Sequence, residues 1–374
     1  MLDRTQRTRR RIFAAVAAIA AVVVLAGCGD SSGPDNDQNA LQPHGPYAKK
    51  ILDLTRPFFW IAVVIGIGVT FATIYVALRF RVKPGEERAP VQVHGNTVLE
   101  VSWTIVPALI LAVMAVPTVA TIFDLAKKPT DPRTIHITVK AHQWWWEFDY
   151  EGQGKKNVVT ANEMHIPVGV PVELSLKGPD PCTTANCYNN GVIHSFWIPE
   201  LNGKKDVVPG RTQFLKLLAA KPGTYLGQCA EYCGLSHADM RMRVIAQSAD
   251  DYAAWQRSQF DVKPQAELLK GVHAVDYKCG NCHSFEAGKA GAVAPNLTKL
   301  ADRTAFAGDI YRMNYDNLWK WIYDAPGRKP LGPLVDSMPA FKDQGMTEAQ
   351  AQEIACFLLK NTATNPQPVP GCPS

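Results

Sequence analysis

The sequence predicts a multidomain chain: two transmembrane α-helices, then an all-β domain of Greek-key type, then a small all-α domain. Three observations carry this. Two apolar runs, residues 57–80 and 98–123, are each long enough for the ~20 residues that a bilayer helix needs. Past residue 124 the hydrophobic pattern alternates at period two. From about Gln265 it changes to helical spacing.

Residues 1–27 read as an export signal. Arg4, Arg7, Arg9, Arg10 and Arg11 precede the apolar run Ile12–Leu25, and "LAGC" closes it. Small residues before a cysteine predict cleavage and lipid on the Cys28 thiol; an uncleaved anchor with an incidental cysteine is the alternative. The polar stretch 28–56 then reads as a tether. Five arginines against Asp3 put +4 on the leader, so of the formal +5 only +1 falls on residues 28–374. No basic stripe remains to bind nucleic acid. Export places most of the chain in an oxidising compartment.

The run 57–80 and the run 98–123 flank a loop, 81–97, which with Arg79 offers Arg81, Lys83 and Arg88 to a cytoplasmic side. The expected path is out, in, out, leaving everything after residue 123 on the periplasmic face of a bacterial inner membrane. Buried soluble helices are the alternative reading of the two runs. In 124–247, "TIHITVKAHQWWWEFDY" puts Ile135, Ile137 and Val139 on one face, and further strand-like runs are bounded by Pro and Gly turns. Residues 248–264 are expected to form a short linker helix opened by a Ser248–Asp251 capping pattern. Helical segments follow in 265–362, the last opened by a Thr347–Gln350 capping box, and 363–374 is a tail.

Two clusters carry chemistry. Cys279-Gly280-Asn281-Cys282-His283 is C-x-x-C-H, the attachment pattern for covalent haem c. Two thiols one turn apart can each add to a vinyl group, and the adjacent His283 then lies under the iron. A disulfide or redox pair is the alternative, but a redox C-x-x-C would want a βαβ context. A thioether opposite His283 would raise the potential, as electron transfer requires. Of Met313, Met338 and Met346, Met338 is the expected ligand because "DSMPAF" is a Pro-containing loop between helical stretches. Here residues 265–362 resemble class I cytochrome c, with "MPAF" as its ligand loop and "APNL" as its proline loop. The resemblance implies that the Pro295 carbonyl accepts from the far nitrogen of His283.

The second cluster, "CAEYCGLSHADM", places Cys229, Glu231, Cys233, His237 and Met240 within one short stretch. Thiolate, imidazole and thioether together suit copper, zinc or iron–sulfur, and a Cys229–Cys233 disulfide is a further option. The pattern C-x-E-x-C-x-x-x-H-x-x-M, after a β domain and behind two spans, resembles subunit II of the haem–copper cytochrome c oxidases over roughly residues 45–247. The resemblance implies a cupredoxin-like domain holding the dinuclear copper centre CuA. Its ligands would be His194 (from "GVIHSFWIPEL"), Cys229, Glu231 through its backbone carbonyl, Cys233, His237 and Met240. It further implies Trp144 of "AHQWWWEF" as the point where electrons arrive, with Trp145 where the family often has Tyr, and Trp146 as core. Glu231 would reach a magnesium shared with subunit I. Glu100, in "E-x-x-W-T" at the cytoplasmic end of the second span, would mark the mouth of a proton channel; a solvated interfacial carboxylate is the bland reading.

Of nine cysteines, Cys182, Cys187, Cys356 and Cys372 are left over, and periplasmic leftovers should pair. Cys182 with Cys187 in one loop, and Cys356 with Cys372 on last helix and tail, are the expected bridges. His142 and His165 are expected to be structural or surface residues. The reading is thus an electron-transfer subunit passing electrons from a donor cytochrome c, or an upstream respiratory complex, through its haem and CuA to subunit I. The assembly would be a proton-pumping terminal oxidase that also contains subunit III and contacts membrane lipid. The competitors are a CuA subunit of a nitric oxide reductase, a copper chaperone or assembly factor, and a quinol-oxidase subunit, which lacks these copper ligands.

Overall fold

The computed structural model describes residues 38–82, 85, 92, 94–151, 157–178, 191–261, 274, 276–331, 337–364 and 368–372. The leader, Cys28, the Cys182–Cys187 loop, Lys83, Arg88 and the stretch 265–273 that opens the expected helical region lie outside the described residues.

Two long helices come first, α1 over Pro46–Arg79 and α2 over Thr97–Ala126, and both are long and apolar enough to cross a membrane. Pro46 opens α1 at a position where its missing N–H costs nothing. The helix therefore begins inside the stretch expected to be a tether. The cause is packing on the β domain: Ala48 and Leu52, one turn apart, are buried there, while Lys49 pairs with Asp53 at 2.5 Å on the outer face. Pro57 reads in the sequence as a helix start, yet it lies within the helix. Asn96 caps α2 by accepting from the Leu99 amide at 3.2 Å.

Among the described residues ten strands make the β domain. β1 (Ile135–His142), β2 (Trp145–Tyr150), β3 (Val158–Ala161), β5 (Val172–Lys177) and β8 (Thr212–Leu217) form one sheet in the order β3-β2-β1-β5-β8. β4 (Glu163–Pro167), β6 (His194–Trp197), β7 (Lys205–Val207), β9 (Gly223–Cys229) and β10 (Arg241–Gln247) form the other in the order β4-β10-β9-β6-β7. β1 and β5 pair in parallel, as do β10 and β4, so the chain crosses between sheets in Greek-key fashion. Ile135, Ile137 and Val139 face inward with Trp146, Phe148, Tyr150 and Phe196. The rings of Trp146 and Phe196 meet edge to face at 5.4 Å.

Helix α3 (Ala249–Ser258) follows, capped by Ser248 accepting from Asp251 at 3.1 Å. The last region holds a small hairpin, β11 (Ala305–Phe306) and β12 (Tyr311–Arg312), with helices α4 (Tyr315–Tyr323), α5 (Ala325–Arg328) and α6 (Glu348–Asn361). Thr347 and Gln350 form the reciprocal box that starts α6. Cys356 on α6 is bonded to Cys372, tying the tail to the helix.

The helical region lies directly on the β domain. Arg243 of β10 donates to Asp309 at 2.7 Å, both largely buried. Glu163 of β4 accepts from the Thr304 amide at 3.0 Å and its hydroxyl at 2.6 Å. The Arg241 amide donates to the Gly308 carbonyl at 2.9 Å.

Candidate metal centre and haem cavity

The two sheets set up the first site. β6 and β9 pair with Phe196 opposite Cys229, which brings His194, at the start of β6, beside the end of β9. The chain then loops out through Glu231 and Cys233, makes a 3-10 turn at His237–Asp239, and returns at Met240 into β10. The Cys229 amide donates to the Met240 carbonyl at 2.9 Å, and that of Ala230 to Ser195 at 2.9 Å, closing the loop on its own ends. Gly234 has φ +113°, and a Cβ there would sit 3.0 Å from the Trp144 ring, so the turn between the cysteines and His237 calls for glycine.

All six expected donors converge. Cys229 Sγ lies 3.8 Å from Cys233 Sγ, 3.8 Å from His194 Nδ1 and 3.2 Å from the Glu231 carbonyl oxygen. Cys233 Sγ lies 3.6 Å from His237 Nδ1 and 3.9 Å from Met240 Sδ. A sulfur separation of 3.8 Å is far beyond the ~2.05 Å of a disulfide, so the pair is unbonded. The set also divides in two. One imidazole and one weak donor flank each sulfur: His194 with the Glu231 carbonyl at Cys229, His237 with the Met240 thioether at Cys233. A structural zinc would use two thiolates and two imidazoles and leave the thioether idle, whereas a thioether suits copper. The cysteines, His194 and Met240 are fully buried.

The Cys233 and His194 side chains beside it hold the Cys229 thiol well below the usual thiol range. The resulting negative charge, with burial, pushes Cys233 up. A positive ion between the sulfurs would relieve that conflict.

The second site is a cavity of about 400 Å³ in the helical region. Cys279, Cys282, His283, Pro295 and Met338 line it. Cys279 to Asn281 form a single 3-10 turn, and both thiols are free. His283 Nδ1 meets the Pro295 carbonyl at 2.7 Å. Burial lowers the His283 pKa, against the pull of that carbonyl, which leaves a neutral ring with its other nitrogen available. Met313 and Met346 are packed in the surrounding core, and only Met338 of the three lines the cavity. The remaining wall is apolar, with Phe285, Leu318, Ile322 and Leu358 among it. Free thiols, a neutral imidazole and a thioether around an apolar slot fit a covalently held haem.

Trp144 joins the two sites. It lies in the turn between β1 and β2, and its indole N–H donates to the Cys233 carbonyl at 3.0 Å. The Gln143 amide donates to the same oxygen at 2.7 Å. Trp144 also lines the haem cavity. The helical region covers this residue, which is only 4% exposed. Trp145 stacks on His142 with ring centroids 4.1 Å apart, and burial lowers His142 to about 3, keeping it neutral. Trp146 is core and meets His194 at 6.1 Å. His165 stacks on Trp255 and bonds to Gln247 at 2.9 Å, a structural role.

Glu231 presents its carbonyl to Cys229 and its side chain to solvent. Glu100 sits in the first turn of α2, exposed, and accepts from the Asn96 amide at 3.3 Å. Residues without a sequence signal also matter. Lys329, in "GRKPLG", is buried beside Trp144 and donates to its carbonyl at 2.9 Å. Nothing in that string announces a partner more than a hundred residues away.

Comparison with known families and proteins follows this division. Residues 135–248 match the family described as cytochrome c oxidase subunit II, periplasmic domain. Residues 36–121 match its transmembrane domain, and residues 268–362 match cytochrome c. The chain is 36% identical to cytochrome c oxidase subunit 2 of Alkalihalophilus pseudofirmus, over 89% of this chain and 92% of the relative. It is 30% identical to quinol oxidase subunit 2 of Bacillus cereus, over 69% and 83%. Among solved structures, the periplasmic domain of subunit II of cytochrome oxidase from Bradyrhizobium japonicum aligns with 30% identity and a TM-score of 0.29, covering 35% of this chain and 94% of that one.

Proposed function

Because the chain belongs to the cytochrome c oxidase subunit II family and ends in a cytochrome c domain, we propose that it takes electrons from a donor cytochrome or respiratory complex and delivers them to subunit I. Oxygen would be reduced there to water, with proton pumping. Its relatives are parts of a terminal oxidase, and the two domains imply copper and haem. One observation carries the proposal: two unbonded sulfurs, 3.8 Å apart, are each flanked by an imidazole and a weak donor, with Trp144 between them and the haem cavity.

When bound, the dinuclear copper and the covalent haem c supply two points of one-electron storage. His194, Cys229, the Glu231 carbonyl, Cys233, His237 and Met240 would hold the coppers, the thiolates spreading charge over both. Burial of Cys229, Cys233, His194 and Met240 keeps water from these donors, and the paired strands on either side keep them from moving as charge changes. Cys279 and Cys282 would anchor the haem. His283, oriented by Pro295, and Met338 would hold its iron.

The loop's outer face supports a docking surface for subunit I. Tyr232 and Leu235 there are 73% and 65% exposed, next to the Glu231 carboxylate, which would reach the shared magnesium. Glu100 would stand at a proton-channel mouth on the other side of the bilayer. The protein would sit in a bacterial inner membrane with both redox domains on the periplasmic side, beside subunits I and III. The covering of Trp144 favours a donor that docks at the haem domain, where Cys282 is exposed.

Electron paramagnetic resonance on the purified oxidase complex tests the centre. A mixed-valence signal from one electron shared by two coppers is expected, and a mononuclear copper signal would remove the assignment. Oxygen against nitric oxide consumption by the same complex separates an oxidase from a nitric oxide reductase.

A further inference from the structure

Lys329 follows helix α5 and is 2% exposed. Its Nζ lies 2.9 Å from each of three main-chain carbonyls: Trp144, Asp239 and Ala307. An ammonium has three N–H donors and no acceptor, so these three bonds use all of it. The acceptors come from three different places. Trp144 belongs to the turn whose indole touches Cys233. Asp239 is in the 3-10 turn between His237 and Met240. Ala307 is in the hairpin turn of the cytochrome domain.

The neighbouring backbone reinforces the same joint. The Pro330 carbonyl accepts from the hydroxyl of Ser236, the residue before His237. The Gly308 carbonyl accepts from the amide of Arg241, the residue after Met240. Leu331 packs into the core of the β domain. The stretch of ligand loop that carries His237 and Met240 is thus held at both ends, and in its middle, by the cytochrome domain. Packing alone would favour an apolar side chain here, because burying an ammonium carries a large desolvation cost. Three carbonyl dipoles converging on one nitrogen instead define a position and a direction.

We infer that Lys329 is a positioning residue that locks the cytochrome domain onto the copper-ligand loop and fixes the haem, Trp144 and the metal donors as one rigid unit. The inference rests on the electron-transfer reading above, and it adds a specific coupling device. The two domains move together, and electron transfer between them does not wait for a docking event.

The test is Lys329→Met in the full chain, assembled in its oxidase complex with haem and copper content verified. Methionine keeps the length of the side chain and removes every donor. Rapid photoreduction of the haem domain then gives the haem-to-copper rate. The expected result is a rate lower by about tenfold or more, since small misplacements of reacting groups carry costs of that size. The rate should also become sensitive to solvent viscosity, and hydrogen exchange at the amides of residues 236–241 should quicken. Ser236→Ala, which removes only the hydroxyl bond to Pro330, should shift all three readouts in the same direction by less, and it serves if the methionine variant does not accumulate. Wild-type rate, viscosity independence and exchange in Lys329→Met would overturn the inference. Loss of copper from that variant would also overturn it, because a positioning role leaves the donors in place. If the unaltered complex lacks a two-copper signal, the functional reading fails, while the exchange measurement still tests the lock.

Discussion

Replacing Gly308 by alanine should wedge the cytochrome domain away from the copper-ligand loop. Gly308 has φ +81°, and a Cβ there would lie 2.3 Å from the Asp239 carbonyl oxygen and 2.6 Å from Lys329 Nζ. The lysine tip can swing, but the Asp239 carbonyl is backbone and must retreat beyond 3.0 Å. The left-handed conformation costs alanine about 1–2 kcal/mol, and overpacking of a well-filled site adds about 1–3 kcal/mol. The combined penalty, about 2–5 kcal/mol, is a large share of a typical domain stability of about 5–15 kcal/mol. The cheapest relief is to open the joint, which moves Asp239 and with it the turn between His237 and Met240. Thermal unfolding of the holo complex, followed separately by haem absorbance and by the copper signal, reads this. The two traces should coincide in the unaltered protein and separate in Gly308→Ala, with a slower haem-to-copper step. If Gly308→Ala unfolds in one transition within about 0.5 kcal/mol of the parent, the size expected of an ordinary surface change, and transfers electrons at the parent rate, the tight interdomain joint is refuted.

Three further outcomes are expected. The Cys356–Cys372 bridge joins residues 16 apart, so replacing both with alanine should cost the cytochrome domain ~3 kcal/mol by loop-closure entropy, read by guanidinium unfolding; a loss under about 1 kcal/mol would contradict it. Burial lifts the Asp309 carboxyl to about 6 against the pull of Arg243. Its folded value thus exceeds the ordinary 3.8, the folded state holds the extra proton between the two, and stability should fall as pH rises through that window. Asp309→Asn should flatten this slope in unfolding measured across the window, and an unchanged slope would show that Asp309 does not cause it. Met338→Leu should leave the haem attached but lower its midpoint potential by on the order of 0.1 V, while Met313→Leu leaves it unchanged; potentiometric titration with equal shifts for both would reassign the ligand.

Local chemistry was legible from the sequence. Thiol and imidazole spacings mark both redox sites without any knowledge of the fold, because ligands to one ion must sit close in the chain or on facing strands. Loop composition singles out Met338 over Met313 and Met346, and Met338 is the one of the three that lines the cavity. The start of α1 was not legible: Pro57 looks like a boundary, and only the β domain, by burying Ala48 and Leu52, makes the preceding residues helical. Apart from the resemblance, Trp144 reads as β-domain core, and its covering by the cytochrome domain depends on contacts such as Lys329 to Trp144 and Arg243 to Asp309. Such contacts join segments far apart in the chain and leave no periodicity to find. The Cys182–Cys187 pairing lies outside the described residues.

Helix α1 runs without a break from the apolar span to the foot of the sandwich. There Ala48 donates to the Leu201 carbonyl at 3.3 Å, and the Lys216 ammonium lies over the Tyr47 ring while donating to the Asp124 carbonyl. The β domain therefore stands on a mast rather than a string. Its height above the lipid and its compass bearing are set by residue count, at about 1.5 Å and 100° per residue. Deleting one residue between Leu52 and Pro57 would rotate the whole head away from its membrane neighbour, although no group that handles an electron had been touched.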